Sequence, residues 1–227
     1  MKNLKEIIQE KLKIGKTSFM LEKLKINSKS NTFGYTPKTK EELEQIIVKL
    51  IEQYGDKADL NDIDISEVYD LTYLFSKYDK NGHNKENNLY KFNGDISNWD
   101  VSKVENMEGM FYCSKFNRNI SKWNVNKVTN MQSMFAHSKF NQDISKWNVS
   151  NVEDMSHMFA DTKFNQDISK WDVSNVKDFN YMFEYDESFN QDLNKWNVNV
   201  KHNHFVDMFS LTKLSEMNKL PKWYKKS

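Results

Sequence analysis

The feature that most constrains this chain is a tandem repeat of 24 residues, lengthening to 25 at its last step. Each copy begins with a phenylalanine and carries a tryptophan seven residues later. The two columns are Phe92, Phe116, Phe140, Phe164 and Phe189, then Trp99, Trp123, Trp147, Trp171 and Trp196. One copy alone cannot bury such rings, so the period indicates stacked units whose aromatic residues form a common core.

Within one copy, the spacing of the apolar residues changes along the chain. Residues 147–149 alternate between apolar and polar, a period of two that predicts a short strand. Apolar residues within 152–159 follow at intervals of three, three and one, which predicts one face of a helix of about two turns. Ser150 and Glu153 have the spacing of a capping box that would begin this helix. Each copy is therefore predicted to be a strand, a short helix and a return turn.

The flanking sequence divides the chain into four parts. Residues 1–33 contain a short amphipathic pattern and are predicted to form an N-terminal helix or docking segment. Residues 34–58 are predicted to hold a capping helix, because Thr39 and Gly55 suit its two ends. Residues 59–209 hold a variant first unit and five regular units, and residues 210–227 form a C-terminal cap.

Composition and charge exclude several classes of function. The 33 basic and 32 acidic residues nearly balance, so no global field favours nucleic acid or an anionic membrane. No apolar stretch is long enough to span a bilayer, and no signal peptide or lipid-attachment cysteine is evident. We therefore expect no membrane insertion and a cytoplasmic or virion-associated location.

Residue types suited to catalysis or metal binding do not form a recognisable set. His202 and His204 flank one residue, but no carboxylate or cysteine at a supporting spacing completes a metal site. The repeated aspartates and asparagines are interpreted as turn-stabilising and backbone-satisfying ladders. We predict no catalytic residues, no metal and no cofactor.

Binding in a stacked-repeat protein is expected at exposed positions that differ between units. One such ridge includes His157, Tyr181 and Tyr185. A second surface carries a row of lysines with polar neighbours, namely Lys122, Asn124, Lys146, Asn148, Lys170, Asp172 and Lys195. The lysine row could meet an acidic partner, or it could be a solvated edge that resists strand pairing.

The repeat FNQDISKWNVSNVEDMSHMF resembles that of the BspA-like leucine-rich-repeat surface proteins, with their WDVSNVTDMSxMF signature. The resemblance extends over residues 35–209 and implies a right-handed leucine-rich-repeat-like solenoid, an α/β repeat with a helical N-terminal cap. It also implies no enzymatic activity and a role in adhesion or protein binding at the cell surface.

Three functions follow as hypotheses. The first is a non-enzymatic module that binds a protein partner through an exposed repeat face. The second is a structural component of a larger assembly, such as a phage particle, docked by the N-terminal helix, with the family's role as a surface adhesin as a further alternative. Nucleic-acid binding through the lysines is the least favoured.

Overall fold

The computed structural model describes residues 34–201 and 203–225, so the predictions for residues 1–33 and for His202 lie outside the described part. The described helices are α1 (Lys40–Tyr54), a 3-10 helix (Leu89–Lys91) and α2 (Lys213–Glu216). Strand pairing consists of isolated bridges, and those that are parallel join equivalent residues of successive units. The parallel bridges join Asp59 with Asp95, Asp70 with Asn106, Asn106 with Asn130, Asn130 with Asp154, Asp154 with Asp178, and Asp178 with His204.

Helix α1 is the predicted capping helix, and its two ends are confirmed. The hydroxyl of Thr39 accepts the Glu42 N–H at 3.2 Å, which satisfies a free donor of the first turn. Gly55 ends the helix with a φ of 84°, a conformation that costs a glycine little. Leu43 and Ile47 are fully buried, and Lys40 Nζ donates to Thr72 of the variant unit at 2.8 Å.

The short helix predicted in each unit is wrong. In unit 1 (residues 92–115), the N–H groups of alternate residues between 107 and 113 donate to carbonyls of unit 2 (residues 116–139) at 2.8–2.9 Å. The N–H groups of the residues between them, such as Met110 and Tyr112, close turns onto carbonyls three residues back. The segment is thus a run of consecutive turns that is hydrogen-bonded along one edge to the next unit.

Two left-handed residues in each unit explain why a helix cannot form there. Ser133 and His137 have φ values of 53° and 55°, and His157 and Asp161 have 55° and 49° in the next unit. A right-handed helix requires negative φ throughout, so both positions interrupt it. Buried residues three apart are compatible with successive turns as well as with a helix, which is why the spacing misled the prediction.

The strand predicted at residues 147–149 is also absent, although its pattern of burial is present. Trp147 and Val149 are buried while Asn148 is exposed, but these residues form no ladder with a neighbouring unit. The bridge of this unit lies at Asp154 instead. Period-two burial therefore reflects an extended segment that packs by its side chains alone.

Side chains, not a sheet, join the units on the tryptophan side. Each indole N–H donates to a backbone carbonyl of the preceding unit, at 2.9–3.2 Å. Equivalent tryptophan rings lie 6.4–6.5 Å apart where they stack, whereas Phe111, Phe135 and Phe159 are separated by 5.6–5.8 Å. Since paired strands lie about 4.8 Å apart, neighbouring units are closest at the bridged edge and diverge toward the tryptophans.

The predicted C-terminal cap, residues 210–227, contains part of a sixth unit that was not predicted from the repeat pattern. Trp223 Nε1 donates to the Leu193 carbonyl at 2.9 Å, and its ring stacks on Trp196 at 6.4 Å. The interval from Trp196 to Trp223 is longer than the repeat, because α2 intervenes. Lys222 consequently extends the lysine row by one position.

One buried position in each unit carries a hydroxyl, except where Asp186 replaces it. The Ser138 hydroxyl accepts the Phe140 N–H at 3.2 Å. Asp186 accepts the N–H groups of residues 188 and 189, and its other oxygen lies 2.8 Å from the Thr162 hydroxyl. That hydroxyl also lies 2.7 Å from the Phe159 carbonyl, and its single hydrogen cannot serve both oxygens. A proton on Asp186 resolves the conflict, and burial raises the pKa of Asp186 to about 7.

Candidate binding surfaces

The aspartate ladder is structural, as predicted from the sequence. Asp143 and Asp167 each accept the backbone N–H of the serine two residues ahead, at 2.9 Å. Asp95 and Asn119 accept a serine N–H in the same way, and Asp192 accepts the Asn194 N–H. Each of these side chains therefore closes a local turn, and the ladder needs no ion to explain it.

The asparagine ladder that follows the phenylalanines links the units. Asn117 Oδ1 accepts the Asn141 N–H at 3.0 Å, and Asn141 Oδ1 accepts the Asn165 N–H at 3.0 Å. In the later units a glutamine adds a second bond, as when Gln166 Nε2 donates to Asn141 Oδ1 at 2.9 Å. The prediction that these asparagines satisfy backbone groups between turns is confirmed.

Part of the predicted lysine surface is also occupied by turn formation. Asn124, Asn148 and Asp172 each accept the N–H two residues ahead, at 3.1–3.2 Å. Lys122, Lys146, Lys170 and Lys195 are exposed, as predicted for a surface row. The structure thus assigns the three Asn and Asp side chains a local role, whereas binding by the lysines stays a prediction.

The field of the lysine row is reduced by the neighbouring aspartates. The pKa of Asp143 lies below its ordinary value, chiefly because of hydrogen bonds from Ser145 and secondarily because of Lys146. The pKa of Asp167 is lowered by bonds from Ser169 and then by Lys170. Both aspartates are therefore ionised at neutral pH, and each cancels most of the long-range attraction that a single lysine would exert.

The variable ridge, defined here as residues 108, 109 and 113 with their equivalents in the following units, runs along the bridged edge. It contains the predicted binding residues His157, Tyr181 and Tyr185. All three have left-handed φ values of 55–59°, which hold their side chains at the turns. The ridge is therefore carried by backbone that is hydrogen-bonded on every second residue.

Aromatic and histidine side chains contact one another along this ridge. His157 stacks on Tyr181 with centroids 4.7 Å apart, and Tyr112 meets His137 edge-on at 5.5 Å. Tyr185 is 52% exposed, so its ring is available to a partner. Burial lowers the pKa of His157 below its ordinary value, so this ring is neutral at pH 7. His157, Tyr181 and Tyr185 thus give part of the ridge an uncharged ring surface, while Glu108 and Asp161 add carboxylates to it.

A groove of about 400 Å³ opens on the ridge beside the insertion after the variant unit. The insertion forms a hairpin in which Tyr78 and Asn84 pair, and its Asp79 and Lys80 line the groove. Tyr73 and Tyr112 also line it, and neither residue was predicted from the sequence. Tyr73 Oη donates to Glu108 at 3.0 Å, which fixes that ring at the groove wall.

Cys113, His137 and Asp161 occupy the same position in three successive units, an order found in hydrolytic triads. His137 Nδ1 lies 2.8 Å from Asp161 Oδ2. However, the thiol contacts Tyr112, no hydrogen bond within the described residues joins it to His137, and burial raises its pKa. A nucleophilic cysteine requires the thiolate, so this column does not form an activated nucleophile.

Neither a metal-binding cluster nor a helix able to span a membrane is found among the described residues. Within residues 34–201 and 203–225, no three His, Cys, Asp or Glu side chains are placed to hold a metal ion. His204 lies 3.5 Å from Asp178, and its predicted companion His202 lies outside the described residues. Across these same residues, no helix has both the length and the apolar character needed to cross a bilayer.

Comparison with known proteins and protein families identifies the family of this chain. The search of curated proteins gave no match, and the search of solved structures gave none either. One protein family matches twice, over residues 52–139 and 113–223, so the two matches overlap and extend through all the regular units. Together they cover more than half of the 227 residues. The chain therefore belongs to the family described as Mycoplasma protein of unknown function, DUF285.

Proposed function

We propose that this protein is a non-enzymatic solenoid that binds another protein through the variable ridge. The observation that carries the proposal is the set of ring contacts along the ridge, with the groove of about 400 Å³ beside them. Most other positions repeat from unit to unit because they build the core or close turns. The ridge is where side chains differ, so it is where a specific partner could be distinguished.

The residue types of the ridge suit a protein interface. Tyrosine is enriched at interface cores, since its ring buries a large area while its hydroxyl keeps a hydrogen bond. Tyr112 and Tyr181 are already partly packed by histidines, and Tyr185 is exposed. Rings held in this way lose little conformational entropy on binding, which favours affinity.

The resemblance to the BspA-like repeats supports the same proposal, since adhesion is a form of protein binding. The right-handed leucine-rich-repeat solenoid it implies is proposed here with two changes, because turns replace the short helix of each unit and the segment at residues 147–149 forms no strand. A role as a structural component docked by residues 1–33 stays a prediction, as does the cytoplasmic or virion-associated location.

The test compares two variants of the full chain that the fold should tolerate equally. In the ridge variant, His157→Ser and Tyr181→Ser install the residue that Ser133 already provides at the equivalent position. In the control, Lys146→Gln and Lys170→Gln alter the lysine row instead. Proteins captured by wild type and by each variant are quantified by mass spectrometry, and the affinity of the purified partner is then measured.

We expect the partner to bind the control as it binds wild type and to bind the ridge variant at least about tenfold more weakly. Circular dichroism should show both variants folded. A partner lost by the lysine variant and kept by the ridge variant would contradict the proposal. So would a partner that binds all three proteins equally.

A further inference from the structure

A second cleft, of about 590 Å³, lies away from the variable ridge. It is lined mainly by residues of units 1 and 2, at positions where these units differ from the later ones. Units 3, 4 and 5 carry Gln, Asp and Lys at three positions there, as in Gln142, Asp143 and Lys146. Unit 2 instead carries Arg118, Asn119 and Lys122. This unit therefore has two more positive charges than the others, and Arg118 is the only arginine in the chain.

Unit 1 and the residues before it line one side of the cleft. Gly94 stands where units 3 to 5 have a glutamine, and a Cβ there would lie 1.9 Å from the Ala58 carbonyl oxygen. No side chain fits at this position, because the backbone of residues 57 and 58 already occupies the place. Lys57 and Asp95 line the cleft together with Arg118 and Lys122, which leaves an excess of two positive charges.

Most of the polar groups in the cleft are hydrogen-bond donors that remain available to a ligand. Arg118 uses its Nε to bond the Asn93 carbonyl at 2.8 Å, which aims the guanidinium while leaving its terminal nitrogens without a protein acceptor in the described residues. Asn119 Oδ1 is taken by the Ser121 N–H, and Asn117 Oδ1 by two donors of unit 3. Their amide N–H groups have no hydrogen-bond acceptor in the described chain.

The acidic residue of the cleft is already engaged. Asp95 accepts the Ser97 N–H at 2.9 Å, and its pKa is lowered first by that bond and less by Arg118. Donors around an excess of positive charge favour an oxyanion, and the planar fork of an arginine matches phosphate or sulfate. No aromatic ring lines the cleft, so a nucleobase would lack a stacking surface.

We propose that this cleft binds a saccharide that carries a phosphate or sulfate group. The oxyanion contacts Arg118, Lys122 and Lys57, and the sugar hydroxyls contact the amides of Asn117 and Asn119. The volume is larger than a bare oxyanion needs and lies within the range of small-ligand sites. This site shares no residue with the variable ridge and does not depend on the function proposed for it.

The full chain would be titrated with glucose 6-phosphate, glucose 6-sulfate, glucose and inorganic phosphate, with binding followed by calorimetry and by amide chemical shifts. We expect at least one of the two charged sugars to bind, glucose not to bind, and inorganic phosphate to bind more weakly. Affinity should fall as salt is raised, because exposed charges are screened.

The variants Arg118→Gln and Asn119→Asp install the residues that units 3 to 5 use at these positions, so the fold is retained. Each should weaken binding by at least about tenfold, since a charge-assisted contact is lost or a repulsive charge is added. Lys170→Gln, two units away, should bind like wild type.

Unchanged binding in Arg118→Gln would overturn the proposal, as would binding of neutral glucose with equal affinity. Failure of both charged sugars to bind at millimolar concentration would also overturn it. If inorganic phosphate binds as tightly as the sugars, the saccharide part is wrong.

Discussion

Trp147 in the middle of the stack and Trp223 at its C-terminal end make the same hydrogen bond in different surroundings. Trp147 Nε1 donates to the Ile120 carbonyl at 3.1 Å, and Trp223 Nε1 to the Leu193 carbonyl at 2.9 Å. Trp147 is 4% exposed, whereas Trp223 is only partly buried, because no unit in the described chain covers its outer side. A tryptophan inside the stack therefore packs against two neighbouring units, whereas the tryptophan at the end packs against one.

The comparison extends beyond the two tryptophans. Most of the exposed large apolar residues of the described chain lie toward the C-terminal end, at Tyr185, Val200, Val206, Leu211 and Met217. At the other end, α1 covers the variant unit and buries Leu43 and Ile47 completely. Unfolding is therefore expected to begin at the C-terminal end, where the least apolar surface must be exposed.

The largest loss of stability is expected for Trp147→Ala, and Trp223→Ala should lose much less. The first leaves a cavity between two units and should lower the free energy of unfolding by about 3 to 5 kcal/mol. The second removes a partly exposed ring and should cost roughly half as much or less. Urea unfolding of both variants measures the two values, and equal losses would mean that the end unit is packed as tightly as the interior.

A pH-dependent difference is expected between Ser138 and Asp186, which share one buried position. The pKa of Asp186 is raised from 3.8 to about 7, so the folded state holds a proton that the unfolded state releases. The stabilisation is complete below about pH 4 and is lost as the pH rises to about 7, a change of on the order of 4 kcal/mol.

Replacement of Asp186 by threonine, the residue at position 162 in the previous unit, should remove this pH dependence and stabilise the protein at pH 8. Unfolding free energies of wild type and variant between pH 4 and pH 8 provide the test. The control Asp167→Ser changes an exposed aspartate whose pKa is lowered by hydrogen bonds from Ser169, so it should not reproduce the effect. A wild-type slope retained in Asp186→Thr would contradict the assignment.

The smallest difference concerns two asparagines of the ladder. Asn141 Oδ1 accepts from Asn165 and Gln166, so Asn141→Ala leaves the Asn165 N–H without a partner, removes one of two Gln166 bonds, and should cost about 1 to 3 kcal/mol. Asn190 is exposed and only donates its backbone N–H, so Asn190→Ala should be nearly neutral. Thermal unfolding distinguishes the two, and similar losses would show that the ladder bond is not the source of stability.

The repeat period allowed the buried residues and the ladder residues to be predicted. It did not allow the backbone conformation between them to be predicted. The tryptophan and asparagine columns recur every 24 residues, and the buried rings and ladder bonds follow that register. The run of turns was mistaken for a helix, because its buried residues are spaced as on a helix face. The left-handed backbone of His137 and Tyr185 could not be predicted, since neither residue is glycine or asparagine, which adopt this conformation most readily.

The candidate sites were predictable to different degrees. Variation between units correctly located the ridge residues on one edge, but Tyr73 and Tyr112 were missed because their contacts depend on the insertion and on neighbouring turns. The cleft at Arg118 had a signal in the sequence, namely a lone arginine and a glycine at the position where units 3 to 5 have glutamine. Only the structure shows that these two departures adjoin.

The hydrogen bonds between units have a consequence for how such genes can change. Each unit offers its successor the same donors, acceptors and ring positions as it received from its predecessor. If one whole repeat were inserted or deleted in the gene, each unit would still face a neighbour with equivalent donors, acceptors and rings. The protein could therefore change length without needing a new interface between units. Gain or loss of part of a repeat would shift every ladder out of register, and selection would remove it.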